Sequence, residues 1–235
     1  MPDTKTNRGT STVPPAHPAA TVILLRPQGN ELEVLLLLRA KAVKFAGGSW
    51  VFPGGRIDRE DYGDNPHDEE SAARAASARE SHEEAGLSLN PDDFEFFSHW
   101  TTPIVEKKRF STWFLWGHLQ QDQQITVDDS EIVDYLWVTP EKALRMMEQR
   151  ELKIMPPTYL TLLELSKCRA IDQVAALTSG RDMPRYFPNL VLESKTPGIL
   201  LEGDEGYESG KMEHNGIKRR VVMGQKGWHY IDERT

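Results

Sequence analysis

The sequence predicts an α/β fold, a mixed sandwich with a C-terminal extension, and three observations lead there. Two nearly continuous apolar runs, "AATVILLRP" and "ELEVLLLLRA", read as strands covered on both faces. An alanine-rich stretch, "SAARAASARESHEEA", reads as helix, and two later helical segments follow further strand-like runs. Strands interleaved with helices bury a sheet between helical layers.

In order along the chain, residues 1–17 are rich in Thr, Pro and small polar groups and are expected to be disordered. The main domain is expected over 18–180. Gly29-Asn30 reads as a hairpin turn joining the first two strands. "AGGSWVFPGGRI" reads as a Gly-punctuated loop with a short strand inside it, and "DYGDNPHDEE" continues as polar loop. The first helix begins near Pro66 or Asp68 and stops at Gly86. "FEFFSHWTTP", "RFSTWFLWGHL" and "EIVDYLWVTP" read as strands. "TPEKALRMMEQRE" reads as a helix capped by Thr139, and "PPTYLTLLELSKCRAIDQVAALTS" as one further helix. Residues 181–235 are expected to form an irregular extension packed on the domain. It holds short strand candidates and is pinned by Trp228 and Tyr230.

A chain of 235 residues accommodates one large domain, or one domain with an appendage. With 38% hydrophobic and 27% charged residues, it reads as soluble and globular. Lys plus Arg number 28 against 36 Asp plus Glu, a formal charge of −8, so no basic field for nucleic acid is present. The single cysteine, Cys168, excludes an intramolecular disulfide framework and a Cys-rich zinc site and fits a reducing compartment. Its surroundings, "LLELSKCRA", read as a buried helical thiol. The longest apolar run, Val34 to Leu38, is far too short to span a bilayer, and the N-terminus lacks an apolar signal core. A cytoplasmic protein with neither a membrane nor a nucleic-acid partner is expected.

The chemistry concentrates in "RESHEEAG". On a helix, Glu80 and Glu84 are four apart and Glu83 is three from Glu80, so the three carboxylates share one side. Like charges at that spacing repel. The helix has no Lys to relieve them, and they sit at its C-terminal end, where the dipole disfavours anions. A Gly-rich turn upstream brings backbone within reach of a ligand. Divalent cations with oxygen ligands would relieve the repulsion, and Mg²⁺ typically combines carboxylates with substrate phosphates.

"FPGG…ARESHEEAGL" resembles the motif of the Nudix hydrolases: Gly, five residues, Glu, seven residues, then Arg-Glu-apolar-x-Glu-Glu-x-Gly-apolar. Arg79, Glu80, Glu83, Glu84, Gly86 and Leu87 fall on its second half without a gap. The resemblance implies a Nudix-type α/β/α sandwich with a mixed β-sheet. It implies Mg²⁺ or Mn²⁺ held by Glu80, Glu83 and Glu84, with Arg79 orienting the carboxylates. Two departures stand out. Arg79 follows Gly55 by 24 residues where the pattern has 14, which places an insertion of about ten around Asp58 to Asp68. The motif's early Glu, counted back from Arg79, falls on Ser71, leaving Glu69 or Glu70 as replacements. Ser81 stands where an apolar residue is usual.

Upstream, "LLLLRAKAVKFAGGSWVFPGG" resembles the motif of coenzyme A-directed Nudix enzymes. Leu35, Leu36, Arg39, Gly48, Phe52, Pro53, Gly54 and Gly55 match in register, and Lys44 replaces its second Arg. The substrate contacts so implied are Arg39, Lys44, Gly48, Phe52, Gly54 and Gly55, with Arg39 and Lys44 meeting phosphates. "RFSTWFLW", "SEIVDYLWVTPEKAL", "MPPTYLTLLEL" and the "GILLEGDEGY" tail resemble the acyl-coenzyme A diphosphatase branch, which also interrupts the motif. The implied reaction splits coenzyme A or acyl-coenzyme A into adenosine 3′,5′-bisphosphate and (acyl-)4′-phosphopantetheine. The general base is one of the helix carboxylates, Glu83 or Glu84, or a loop Glu, for which Glu131 is the candidate. Another nucleoside diphosphate derivative, such as ADP-ribose or a dinucleotide, is the alternative substrate, and a ligand-binding module without catalysis the alternative class. The family also forms homodimers, although no interface is visible in the sequence.

Overall fold

The computed structural model describes residues 13–119 and 123–234. In chain order its elements begin with strands β1 (Ala16–Gln28), β2 (Glu31–Arg39), β3 (Trp50–Val51) and β4 (Gly54–Arg56). Helix α1 (Glu69–Ala85) follows, then β5 (Glu95–Thr101), β6 (Arg109–His118) and β7 (Ile132–Val138). Helices α2 (Pro140–Glu148), α3 (Pro156–Leu165) and α4 (Ile171–Thr178) come next. The chain ends in β8 (Arg185–Tyr186), β9 (Asn189–Val191), β10 (Gly198–Leu200), β11 (Arg219–Gly224) and β12 (Gly227–Asp232).

Eight of these strands form a mixed sheet in the order β3-β2-β1-β6-β5-β8, with β4 added to β1 and β7 to β2. β1 and β6 run parallel, Ala16 opposite Arg109 through Leu25 opposite His118. The expected hairpin joins β1 to β2 through Gly29-Asn30, with Gln28 paired to Glu31.

Period-two alternation sorts the apolar runs onto two faces. Ala20, Val22 and Leu24 of β1, Leu35 and Leu37 of β2 and Leu115 of β6 face α1, whose Ala72, Ala73 and Ala76 lie fully buried against them. Small side chains let that helix approach the sheet closely. The alternate residues, Ile23, Leu25, Val34, Leu36 and Phe114, bury the opposite face against Ala143 and Met147 of α2 and Leu160, Leu162 and Leu165 of α3. Both faces of the central strands are therefore covered, as their unbroken apolar sequence requires. This α/β/α arrangement matches the expected fold class.

Several local expectations need correction. Ala16 and His17 already belong to β1, so the disordered segment expected over 1–17 does not reach that far; residues 1–12 lie outside the described residues. The Gly-punctuated loop holds two short strands, β3 and β4, because Gly54 and Gly55 pair with Thr21 and Ala20 of β1. The single helix expected over 156–179 is two, broken at 166–170, where Ala170 adopts an extended conformation and Gln173 Oε1 accepts from Arg169 N at 2.6 Å. Neither Pro nor Gly marks that break. Cys168 is buried as expected, but inside the break rather than in a helix.

The short strand candidates of the tail are all formed, and they make it more regular than the irregular extension expected. β9 to β12 form a second, antiparallel sheet in the order β12-β11-β10-β9, and β8 extends the main sheet beside β5. Trp228 Nε1 donates to Ile154 O at 2.8 Å, and Tyr230 N donates to the Tyr159 hydroxyl at 3.2 Å, so both aromatics tie β12 to the chain entering α3. Arg220 of β11 forms a two-pronged, buried pair with Asp204 at 2.6 and 2.7 Å.

Candidate active site

α1 carries the carboxylate cluster at its C-terminal end. Asp68 caps its start, accepting from Ser71 N at 3.0 Å and from Ser71 Oγ at 2.8 Å. Gly86 closes it in the left-handed conformation, φ 70°. Ser81, polar where the motif is apolar, is buried and returns its hydroxyl to Ser77 O at 2.7 Å, so it needs no outside partner.

Arg79 organises the cluster. Its Nη1 meets Glu80 Oε1 at 2.9 Å and Glu83 Oε2 at 3.3 Å, and its Nη2 donates to Arg56 O at 2.9 Å. The strongest pairing goes elsewhere: Nε and Nη2 grip Asp61 Oδ1 and Oδ2 at 3.1 and 2.9 Å. Hydrogen bonding to Asp61 is the main reason the Arg79 guanidinium is held even more firmly charged than usual. Asp61 sits on a short 3-10 turn, Arg59–Tyr62, and its side chain is only 5% exposed.

Asp61 was not anticipated. It stands six residues after Gly55, where the Nudix pattern counted forward from the Gly has its first acid. Counting backward from Arg79 led instead to Ser71, which is a helix-cap partner. Glu69 accepts from Trp113 Nε1 at 2.8 Å and Glu70 is exposed, so neither faces the cluster. The extra residues therefore lie after Asp61 rather than around it.

The Gly-rich turn lies directly against the carboxylates. Glu84 Oε2 accepts from Gly54 N at 2.9 Å. At Gly55 a Cβ would overlap the Glu80 carboxylate, so any larger residue there would push that carboxylate aside. Burial raises Glu80, against the opposing pull of Arg79. Burial also pushes Glu84 up to about 8, helped by the Glu80 and Glu131 charges and opposed by Gly54 N–H and Arg39. Two desolvated carboxylates with raised pKa, adjoined by a third, form a site that a cation would stabilise.

Arg39, at the end of β2, bridges distant parts of the chain. Its Nη1 lies 3.7 Å from Glu84 Oε1 and its Nη2 donates to Glu131 Oε2 at 2.9 Å. Asp128 accepts from the backbone N–H groups of Ser130, Glu131 and Ile132, which fixes the loop carrying Glu131. Gly48 N donates to Arg39 O at 3.0 Å, closing the intervening turn with φ 71°. The remaining candidates are placed differently. Lys44 is exposed on that turn and makes no ion pair among the described residues. Phe52 is buried edge-on against Phe114 in the core on the far face. His82, between the motif carboxylates, is exposed.

Among the described residues no three His, Cys, Asp or Glu side chains converge as a ready-made metal site. The donor set nevertheless suits a hard divalent cation: Glu80, Glu83 and Glu84 offer only oxygen, and Gly55 leaves the Glu80 carboxylate packed against open backbone.

The Nudix domain family matches residues 15–157, more than half of the sequence. The chain belongs to the Nudix family and is a Nudix hydrolase. Among curated relatives it is 27% identical over 139 residues to the acyl-coenzyme A diphosphatase NUDT19 of Xenopus laevis, covering 55% of this chain and 36% of that one. To the protein of that name from Gallus gallus it is 24% identical over 138 residues, with the same coverage. The matched region thus spans about a third of the length of these relatives. A solved Nudix hydrolase from Alicyclobacillus acidocaldarius superposes with a TM-score of 0.62 at 22% identity, covering 70% of this chain and 97% of that one, which supports the fold. Among the described residues no helix is long and apolar enough to cross a membrane.

Proposed function

We propose that this Nudix hydrolase is a diphosphatase for coenzyme A or acyl-coenzyme A, releasing adenosine 3′,5′-bisphosphate and (acyl-)4′-phosphopantetheine. The observation that carries this is Arg39. It is held at the cluster by Glu84 and Glu131, while its Nε is buried with no acceptor among the described residues. A guanidinium with an unused donor beside a carboxylate cluster is suited to receive a diphosphate oxygen. It also occupies the Arg position of the coenzyme A-directed motif, and the relatives named as acyl-coenzyme A diphosphatases support the same substrate.

In this reading Glu80, Glu83 and Glu84 hold Mg²⁺ or Mn²⁺. Such an ion, when bound, neutralises the diphosphate and polarises phosphorus. Arg79, anchored on Asp61, keeps Glu80 and Glu83 turned to one side of α1. Glu84 or Glu131 takes the proton of the attacking water; Arg39 joins the two and orients whichever serves. Exposed Lys44 lies on the turn that follows Arg39 and is free to meet an outer phosphate. Gly48, Gly54 and Gly55 shape the backbone around the substrate, and Phe52 supports that turn from the core. The partner is a small-molecule diphosphate in a reducing, cytoplasmic setting, and a homodimer is the assembly to test by light scattering.

The deciding assay offers coenzyme A, 3′-dephospho-coenzyme A, an acyl-coenzyme A and ADP-ribose, each with Mg²⁺ or Mn²⁺, with products resolved by mass. Release of adenosine 3′,5′-bisphosphate that is lost in Glu84→Gln supports the proposal. Cleavage of ADP-ribose alone keeps the carboxylate chemistry and rejects the substrate. No cation-dependent cleavage of any compound rejects catalysis in favour of ligand binding.

A further inference from the structure

Two loops at one end of the sheet carry an apolar and cationic rim that the proposed chemistry, Lys44 apart, leaves unused. The first, residues 40–48, follows β2; the second is the turn between β5 and β6. Phe45 of the first packs edge-on to Phe110 at the base of the second, ring centroids 5.4 Å apart, and Lys108 lies 5.2 Å over the same ring. His17, opposite Phe110 in the β1–β6 register, adds its ring at 6.4 Å. The first loop therefore crosses the start of β1 to join the hairpin.

At the hairpin tip Ile104 and Val105 are 63% and 64% exposed, and Phe45 is 44% exposed. Lys41, Lys44, Lys107 and Lys108 are all exposed on these loops and form no ion pairs among the described residues; Glu106 is the one acid on the tip. This local positive charge stands out in a chain of net charge −8. The apolar residues sit on turn tips rather than in a concavity. A small ligand is usually bound in a concavity, whereas convex apolar tips ringed by lysine suit the headgroup region of a bilayer.

We infer that this rim docks the protein on an anionic lipid surface, with Ile104, Val105 and Phe45 entering the interface and the lysines facing acidic headgroups. The short apolar runs of the sequence exclude a spanning helix, but a peripheral contact needs none. Arg39 leads directly into the first loop, so the rim and the carboxylate site are linked through one short segment of chain.

The test is co-sedimentation of the full chain with phosphatidylcholine vesicles, with and without phosphatidylserine. Two variants leave the carboxylate site untouched: Lys107→Glu/Lys108→Glu and Ile104→Ser/Val105→Ser. The wild type should bind only the anionic vesicles, and added salt should release it. Each lysine contributes roughly five-fold to partitioning, so the double charge reversal should weaken binding at least roughly 25-fold. The tip variant should lose several-fold, while melting temperature and hydrolysis of soluble coenzyme A stay unchanged in both. Absence of wild-type binding, or equal binding by the variants, overturns the inference. Intact vesicle binding with a raised KM for a long-chain acyl-coenzyme A also overturns it, and assigns the rim to the substrate's acyl arm instead.

Discussion

Replacing Asp61 by Asn isolates the residue that the spacing of the motif concealed. Asp61 accepts two charge-assisted hydrogen bonds from Arg79, at 3.1 and 2.9 Å. Hydrogen bonds to charged groups are worth roughly 1.5–3 kcal/mol each. Arg79, at 28% side-chain exposure, recovers part of that from solvent, and Asn keeps one acceptor while turning an N–H₂ toward the guanidinium. The net loss should be about 2 kcal/mol, lowering the melting temperature by about 4–8 °C. A second effect is specific to the site. Released from Asp61, Arg79 is free to close further on Glu80 and Glu83, so the variant should bind Mn²⁺ more weakly. Thermal melts with and without Mn²⁺ read both effects, since a cation that binds only the folded state raises its stability with concentration. Ser71→Ala is the control. It trims the helix cap by about 1 kcal/mol and should leave the Mn²⁺ response intact. If Asp61→Asn melted like the wild type and kept its Mn²⁺ response while Ser71→Ala lost it, the assignment of Asp61 would be wrong.

Three further outcomes are expected. Glu84→Gln should abolish turnover yet stabilise the cation-free protein at alkaline pH: a carboxyl raised to about 8 contributes stability that is complete below its unfolded value and is lost as pH rises through 8, a loss a neutral amide avoids. Melting curves from pH 5 to 9 without divalent cation should therefore nearly coincide at pH 5, draw steadily apart up to about pH 8 and keep a constant separation above it. Gly55→Ala forces a Cβ into the Glu80 carboxylate and should cost turnover by at least about ten-fold with the circular dichroism spectrum preserved. Asp204→Ala leaves Arg220 buried without its counter-ion and should destabilise the fold by about 3–5 kcal/mol, seen in denaturant melts and in faster proteolysis within residues 189–232.

The parts legible in the sequence were those set by periodicity and local chemistry. The unbroken apolar runs of β1 and β2 announced strands buried on both faces, Asp68 and Gly86 bracketed α1, and i,i+4 spacing placed Glu80 and Glu84 together. What was hidden lacked a Pro or Gly signal or depended on tertiary pairing. The break between α3 and α4 is held locally, by Gln173 Oε1 accepting from Arg169 N at the start of α4. β9 to β12 are each short, and they become a sheet only through one another and the buried Arg220–Asp204 pair. Phe52 matched a motif, but motif register does not report on which side of the sheet a ring is buried. Asp61 is readable by counting forward from Gly55, because the extra residues lie beyond it.

The cluster poses a folding problem before it poses a catalytic one. Glu84 and Glu80 are largely buried, and uncompensated carboxylates at that depth would be costly. Without a cation, compensation comes from Arg79 on one flank, Arg39 on the other and Gly54 N–H between them. Each arginine has a second anchor outside the helix, Asp61 for Arg79 and Glu131 for Arg39, so neither depends on the helix carboxylates for its own position. It follows that a divalent ion held by these carboxylates would not assemble the site from disorder. It would compete with arginine contacts already made, and those arginines would keep their anchors. Under the proposed reaction they would supply positive charge where negative charge develops.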